Sequence, residues 1–151
     1  STGKDLITNT TFMNRFFFFF FVAQNNGIAI VRIITGILLI HQGWEAFDNA
    51  KMEMYTSWFV ERKYSNPAIW AYSGKVGELL AGVGFALGLF TRLASVAAIA
   101  AFTGIIYILG DKGKIFHGDQ YPFLFILLAF VFFFTGPGKW SVDQFLLRKK
   151  K

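Results

Sequence analysis

At 151 residues the chain is long enough for one domain, yet 54% of it is hydrophobic, 20 residues are Phe, and only 16% are charged. A water-soluble fold of this size has too little interior to hide so much apolar surface, so the composition points to lipid as the solvent. The absence of Cys excludes disulfides, thiol redox chemistry, iron–sulfur clusters and thiolate zinc sites within the chain, and the net charge of +6 collects at chain ends and turns, a topology pattern and not a nucleic-acid-binding face.

The chain begins with a segment, residues 1–26, that contains "NRFFFFFFVAQNNG". Six consecutive Phe are too few to span a bilayer, and Gln24, Asn25 and Asn26 interrupt the run. The segment is expected to lie along the cytoplasmic interface, with a tilted first helix reaching back through it as the competing reading. No small-residue cleavage site follows, so no cleavable signal peptide is expected.

Four apolar blocks follow and predict an all-α, integral membrane four-helix bundle at 27–147, with helices near 27–44, 67–90, 92–109 and 122–136 and a basic tail at 148–151. The first reads "GIAIVRIITGILLIHQGW". The second is preceded by "SNP", a cap followed by Pro at the first helical position. Its Gly77, Ala81, Gly84 and Gly88, with Ala94, Ala97, Ala101 and Gly104 of the third, form small-residue stripes that predict a tight antiparallel hairpin about "FTR". The fourth, "PFLFILLAFVFFFTG", is short and needs a thinned bilayer or a sheltered end.

Between the first two blocks lies a 28-residue loop, 45–72, in which Met52, Tyr55 and Phe59 repeat at helical spacing. An in-plane amphipathic helix is predicted, its aromatics forming either an interfacial belt or a lid. His117, in "KIFHGDQYP", is a lone loop histidine. Eight Lys/Arg fall on the side of the termini and five on the other, which predicts both termini in the cytoplasm.

Arg32, Lys75 and Glu78 fall inside apolar blocks, where each costs about 2.5–3.5 kcal/mol near a helix centre. Lys75 and Glu78 share a face at i, i+3 and reach the depth of His41 and Gln42 near the outer end. Two readings of this cluster stay open. The charges fasten helices together, or they line a pocket for a polar headgroup such as a quinone, with His41 or Glu78 handling protons, Lys75 holding an oxygen, and Trp44 and Tyr72 beside them. Arg32, about 180° round its helix from His41, is left to snorkel, to reach toward Glu78, or to pair with Asp143. The 136–143 turn is read as structural, with Ser141 capping a short helix and Asp143 tied to Arg32 or Arg92.

Bis-histidine haem is excluded within the spans, and no Walker loop, GxGxxG, HExxH or GxSxG is present. No metal is expected, and redox chemistry needs a bound quinone and partner subunits.

Taken together, "HQGW", "GELLAGVGFALGLFTRLA" and "GPGKWSVD" resemble the DoxX/DoxD family of small four-helix membrane proteins over about residues 28–147. Arg32, Glu78, Arg92, Gly136, Gly138 and Asp143 fall on the family pattern. The resemblance implies a protein of the prokaryotic cytoplasmic membrane, in some relatives the membrane subunit of a thiosulfate:quinone oxidoreductase. One departure stands out: relatives commonly place a lysine three residues after the glycine of helix one, where this chain has Ala46. The expected function is a quinone-interacting oxidoreductase subunit; the alternative is a non-catalytic accessory subunit of a larger membrane complex.

Overall fold

The computed structural model describes residues 15, 24, 26–110 and 118–149. The Phe-rich run and His117 lie outside the described residues. Among the described residues the chain is all-α. Helix α1 covers 26–43 and passes into a 3-10 turn at Trp44–Phe47. After it come α2 (Asn49–Glu61), α3 (Pro67–Leu87), α4 (Thr91–Ile108), α5 (Gln120–Thr135) and the short α6 (Val142–Arg148).

The helix ends follow local chemistry. Pro67 opens α3 at its first position, but Asn66 before it adopts a left-handed conformation and makes no side-chain cap bond. At the other end α3 stops three residues before the predicted Phe90. Gly88 turns left-handed there, and Leu89 N–H reaches back to Gly84 O at 2.9 Å, closing the helix on itself. Helix α5 starts at Gln120, two residues ahead of the predicted Pro122, because a proline is tolerated within the first turn, where amides lack helical partners.

Glycines set the packing. A Cβ on Gly84 would stand 2.7 Å from Ala94 Cβ, and one on Gly77 3.8 Å from Ala101 Cβ, so α3 and α4 run antiparallel as the small-residue stripes predict. A second glycine face, not anticipated, joins α1 to α3. Gly43 lies against Leu79, Gly82 against Ile40, and Gly36 against Ala86, each closer than a Cβ would permit. The three pairs share one antiparallel register. Aromatic contacts then close the core, with Phe85 against Phe132 at 5.1 Å and Phe102 stacked on Phe125 at 4.9 Å.

Apolar side chains cover the exterior as well as filling the core, and several polar ones are buried. Ile34, Ile37, Leu80, Leu93, Val96 and Phe134 face outward, whereas Arg32, Glu78, Thr91 and Ser95 are buried. Two helices, Asn26–Phe47 and Thr91–Ile108, are long and apolar enough to cross a membrane; α5 is apolar but shorter. Lipid is the solvent that makes such a surface stable.

Candidate functional site

Chain reversal after α1 builds the end that the Lys/Arg bias predicts to be the outer one, with the end at α6 the predicted inner one. Asp48 caps α2, accepting from Ala50 N–H at 3.1 Å and Lys51 N–H at 3.3 Å. The Met52–Tyr55–Phe59 stripe, for which the sequence leaves both an interfacial belt and a lid open, turns inward. Met52 and Phe59 are buried against Ala71, and Ile108 and Leu109 pack beside them. Arg62 ties the end of α2 to α4 by donating to Leu109 O at 2.9 Å. The stripe thus meets protein, because α3 and α4 offer it apolar surface closer than the bilayer does. Helix α2 is a lid.

Beneath and beside the lid, five polar side chains converge. Lys75 Nζ bridges two carboxylates, Glu78 Oε2 at 3.0 Å and Glu45 Oε2 at 3.2 Å. Glu45 also receives Lys51 Nζ at 2.6 Å and the hydroxyl of Tyr55. The Tyr55 ring lies under the Lys75 ammonium, 4.6 Å from Nζ to its centroid. Exposure falls steadily along this chain of charges, from 45% at Lys51 through 20% and 14% at Glu45 and Lys75 to 3% at Glu78. Burial and the bond to Glu45 push the Tyr55 phenol above its ordinary pKa, and the bond to Glu45 likewise raises Lys51.

A cavity of about 160 Å³ opens beside the group. Lys75, Glu78 and Tyr55 supply its polar edge, and Trp58, Phe59 and Trp70 much of its apolar wall.

The predicted constellation is met in part. Lys75 and Glu78 come together as the i, i+3 spacing requires. His41 does not join them. It is exposed on the outer side of α1, in a shallow groove with Trp44, Glu45, Asp48 and Lys51, so it borders the charge group at Glu45, but no side-chain bond links His41 or Gln42 to the described residues. Trp44 is 63% exposed and packs on Phe47, while Tyr72 faces a separate groove with Met52 and Thr56. The reason is rotational: the face of α1 that meets α3 carries Gly36 and Gly43, which turns His41 outward. Glu45 and Tyr55 take the places expected of His41 and Gln42. Tyr55 was visible on the α2 stripe, but nothing local shows that α2 folds back over Lys75.

The inner end differs. Arg32 is fully buried and forms no ion pair with Asp143, contrary to expectation. Its guanidinium donates instead to Phe85 O, to Trp140 O at 3.1 Å and to Lys139 O at 3.4 Å. These carbonyls lie at the C-terminal end of α3, where Phe85 O also accepts from Gly88 N–H at 3.3 Å, and in the turn before α6. Gly88 makes room: a Cβ there would fall 2.6 Å from Arg32 Nη1, and its φ of +64° strains any other residue. Asp143 caps α4 instead, accepting from Phe90 N–H at 2.9 Å and Thr91 N–H at 3.2 Å. Arg92 is exposed and joins neither. Ser141 caps α6 as predicted, accepting from Gln144 N–H at 3.2 Å.

A family model described as DoxX matches residues 27–111, more than half of the chain. The chain belongs to the DoxX family. A protein of Bacillus subtilis (strain 168) named "Putative oxidoreductase CatD" is 27% identical to it over 125 residues, which cover 83% of this chain and 90% of that protein. No solved structure matches the chain. In this DoxX protein the matched stretch contains α1 to α4 and hence the whole Glu45–Lys75–Glu78–Tyr55 group. Ala46, at the position where relatives commonly carry lysine, packs against the Met52–Phe59–Ala71 cluster, and the nearby cations are Lys51 and Lys75.

Proposed function

We propose that this DoxX protein is a quinone-interacting membrane subunit of an oxidoreductase complex in a prokaryotic cytoplasmic membrane. In this reading α1, α3, α4 and α5 form a transmembrane four-helix bundle with both termini in the cytoplasm. The observation that carries the proposal is a buried carboxylate–ammonium pair, Glu78 and Lys75, at the edge of an apolar cavity under a lid. Lys75 presents an ammonium able to donate to a quinone oxygen. Glu78 holds a proton-exchanging carboxyl beside it, and Glu45 with Lys51 connects the pair to the outer aqueous face. A bound quinone would supply the electron-carrying chemistry, and a partner subunit the electrons.

Purification in mild detergent with quinone quantification tests this. Stoichiometric quinone and quinol-linked activity are expected, with Glu78→Gln abolishing turnover while leaving assembly intact. A second reading, an accessory subunit that only stabilises its complex, draws on the completeness of the charge pairing: Lys75 and both carboxylates all have counter-charges. Under that reading the Glu78→Gln complex keeps full activity.

A further inference from the structure

The gap between α3 and α4 changes width along its length. Near the inner end the helices touch closely, with Gly84 against Ala94. Toward the outer end they part: a Cβ on Gly74 or on Gly104 would meet nothing within 4 Å. Small residues at a helix interface ordinarily permit close approach. Here, in the outer half, they leave a crevice of about 290 Å³.

This crevice runs along α4 from Ala97 to Leu109, about 18 Å at 1.5 Å per residue. It lies directly beside the cavity at Lys75 and Glu78, with Phe59, Trp70, Gly74, Ile105 and Leu109 bordering both. Ala97 and Ala100 are exposed, so it opens on the apolar exterior. Polar access comes from the other direction, along Glu45 and Lys51, while α2 covers the cavity and Arg62 holds it to Leu109. The space therefore has one charged end and one long apolar arm.

We infer that the ligand is a quinone with a long apolar tail, that the tail lies in the crevice between α3 and α4, and that the molecule is admitted sideways from the lipid. The inference rests on the quinone reading above and specifies the substrate class and its route. Gly104→Phe fills the arm without touching the charged end, because Gly104 borders the crevice alone, and Ala97→Phe, which also borders only the crevice, does so farther from the charges.

Quenching of tryptophan fluorescence in lipid nanodiscs tests it, because Trp58 and Trp70 line the cavity. The probes are a decyl-substituted benzoquinone and its tail-less parent, each compared across variants so that partitioning into lipid cancels. Gly104→Phe and Ala97→Phe are expected to weaken the decyl compound at least about tenfold and to leave the tail-less one unchanged. Glu78→Gln weakens both, and Leu80→Phe, on the lipid-facing side of α3, weakens neither. If the crevice variants leave decyl binding unchanged while Glu78→Gln weakens it, the tail route is wrong and the quinone reading stands. Loss of a co-purifying phospholipid from Gly104→Phe, with quinone affinity unchanged, assigns the crevice to an acyl chain and likewise overturns the route. If neither compound quenches wild-type protein, the quinone reading fails and the inference with it.

Discussion

The two ends of this DoxX protein solve one problem in different ways. At the inner end Arg32 is buried and its two terminal nitrogens are held by backbone carbonyls of Phe85, Lys139 and Trp140, while its Nε has no partner among the described residues, in a space so tight that Gly88 cannot carry a Cβ. At the outer end Lys75 and Glu78 are satisfied by side chains that can change partner, next to an open cavity. Backbone acceptors are held by the fold and cannot be exchanged without unwinding it. Side-chain carboxylates can release a cation to a ligand at modest cost. The first arrangement suits a structural joint, the second a site.

That contrast can be broken most sharply at Arg32. Arg32→Met is expected to cost about 2–4 kcal/mol by removing the donor shared by Phe85 O and the part-buried carbonyls of Lys139 and Trp140, seen as loss of folded protein in detergent. Arg32→Lys, with one compact ammonium in place of a fork, rescues only partly. Gly88→Ala follows at about 2–3 kcal/mol, combining a left-handed backbone with a clash against Arg32 and Ser141, read from the unfolding midpoint in mixed micelles.

At the outer end the order of effects reverses between stability and activity. Glu78→Gln is expected to cost about 1–2 kcal/mol, since Lys75 keeps Glu45, yet to remove quinol-linked turnover altogether. Equal loss of stability at the two ends would erase the distinction between joint and site. Asp143→Asn sharpens the comparison by weakening the cap of α4 by about 1 kcal/mol without touching the bonds of Arg32, measured as a small shift in thermal midpoint.

The smallest effect concerns pH. The Tyr55 phenol, raised above its ordinary 10.0 by burial and by its bond to Glu45, stays protonated longer in the folded chain than in the unfolded one. Its contribution is therefore complete below pH 10.0 and declines as pH rises toward and through the folded value. Phenolate absorbance is expected to show one tyrosine titrating late, and Tyr55→Phe to remove that step at a cost of about 1 kcal/mol. An unaltered titration in Tyr55→Phe contradicts the assignment.

Much of the architecture was legible because it depends on short-range pattern. Pro67, Gly88 and the stripes at 77–88 and 94–104 place the α3–α4 hairpin to within a few residues. Lys75 and Glu78 were legible as a pair for the same reason, being three residues apart on one helix. The α1–α3 register was half visible: Gly36 and Gly43 lie on one face of α1 with Arg32, but their partners on α3 had to be seen. Asp143 was placed in the first turn of α6, while its carboxylate serves α4, more than fifty residues away in sequence.

Amino-acid order alone was enough to establish a lipid environment, the positions of the helices and the presence of costly buried charges, since composition and periodicity act within a few turns of chain. Which partner each charge found was settled only in three dimensions. Glu45 reaches Lys75 because α1 and α3 run antiparallel at one register, and Tyr55 arrives because α2 folds back over both. Such meetings depend on helix rotation and chain reversal, and a rotation of 100° per residue makes each contact sensitive to packing that no local pattern records.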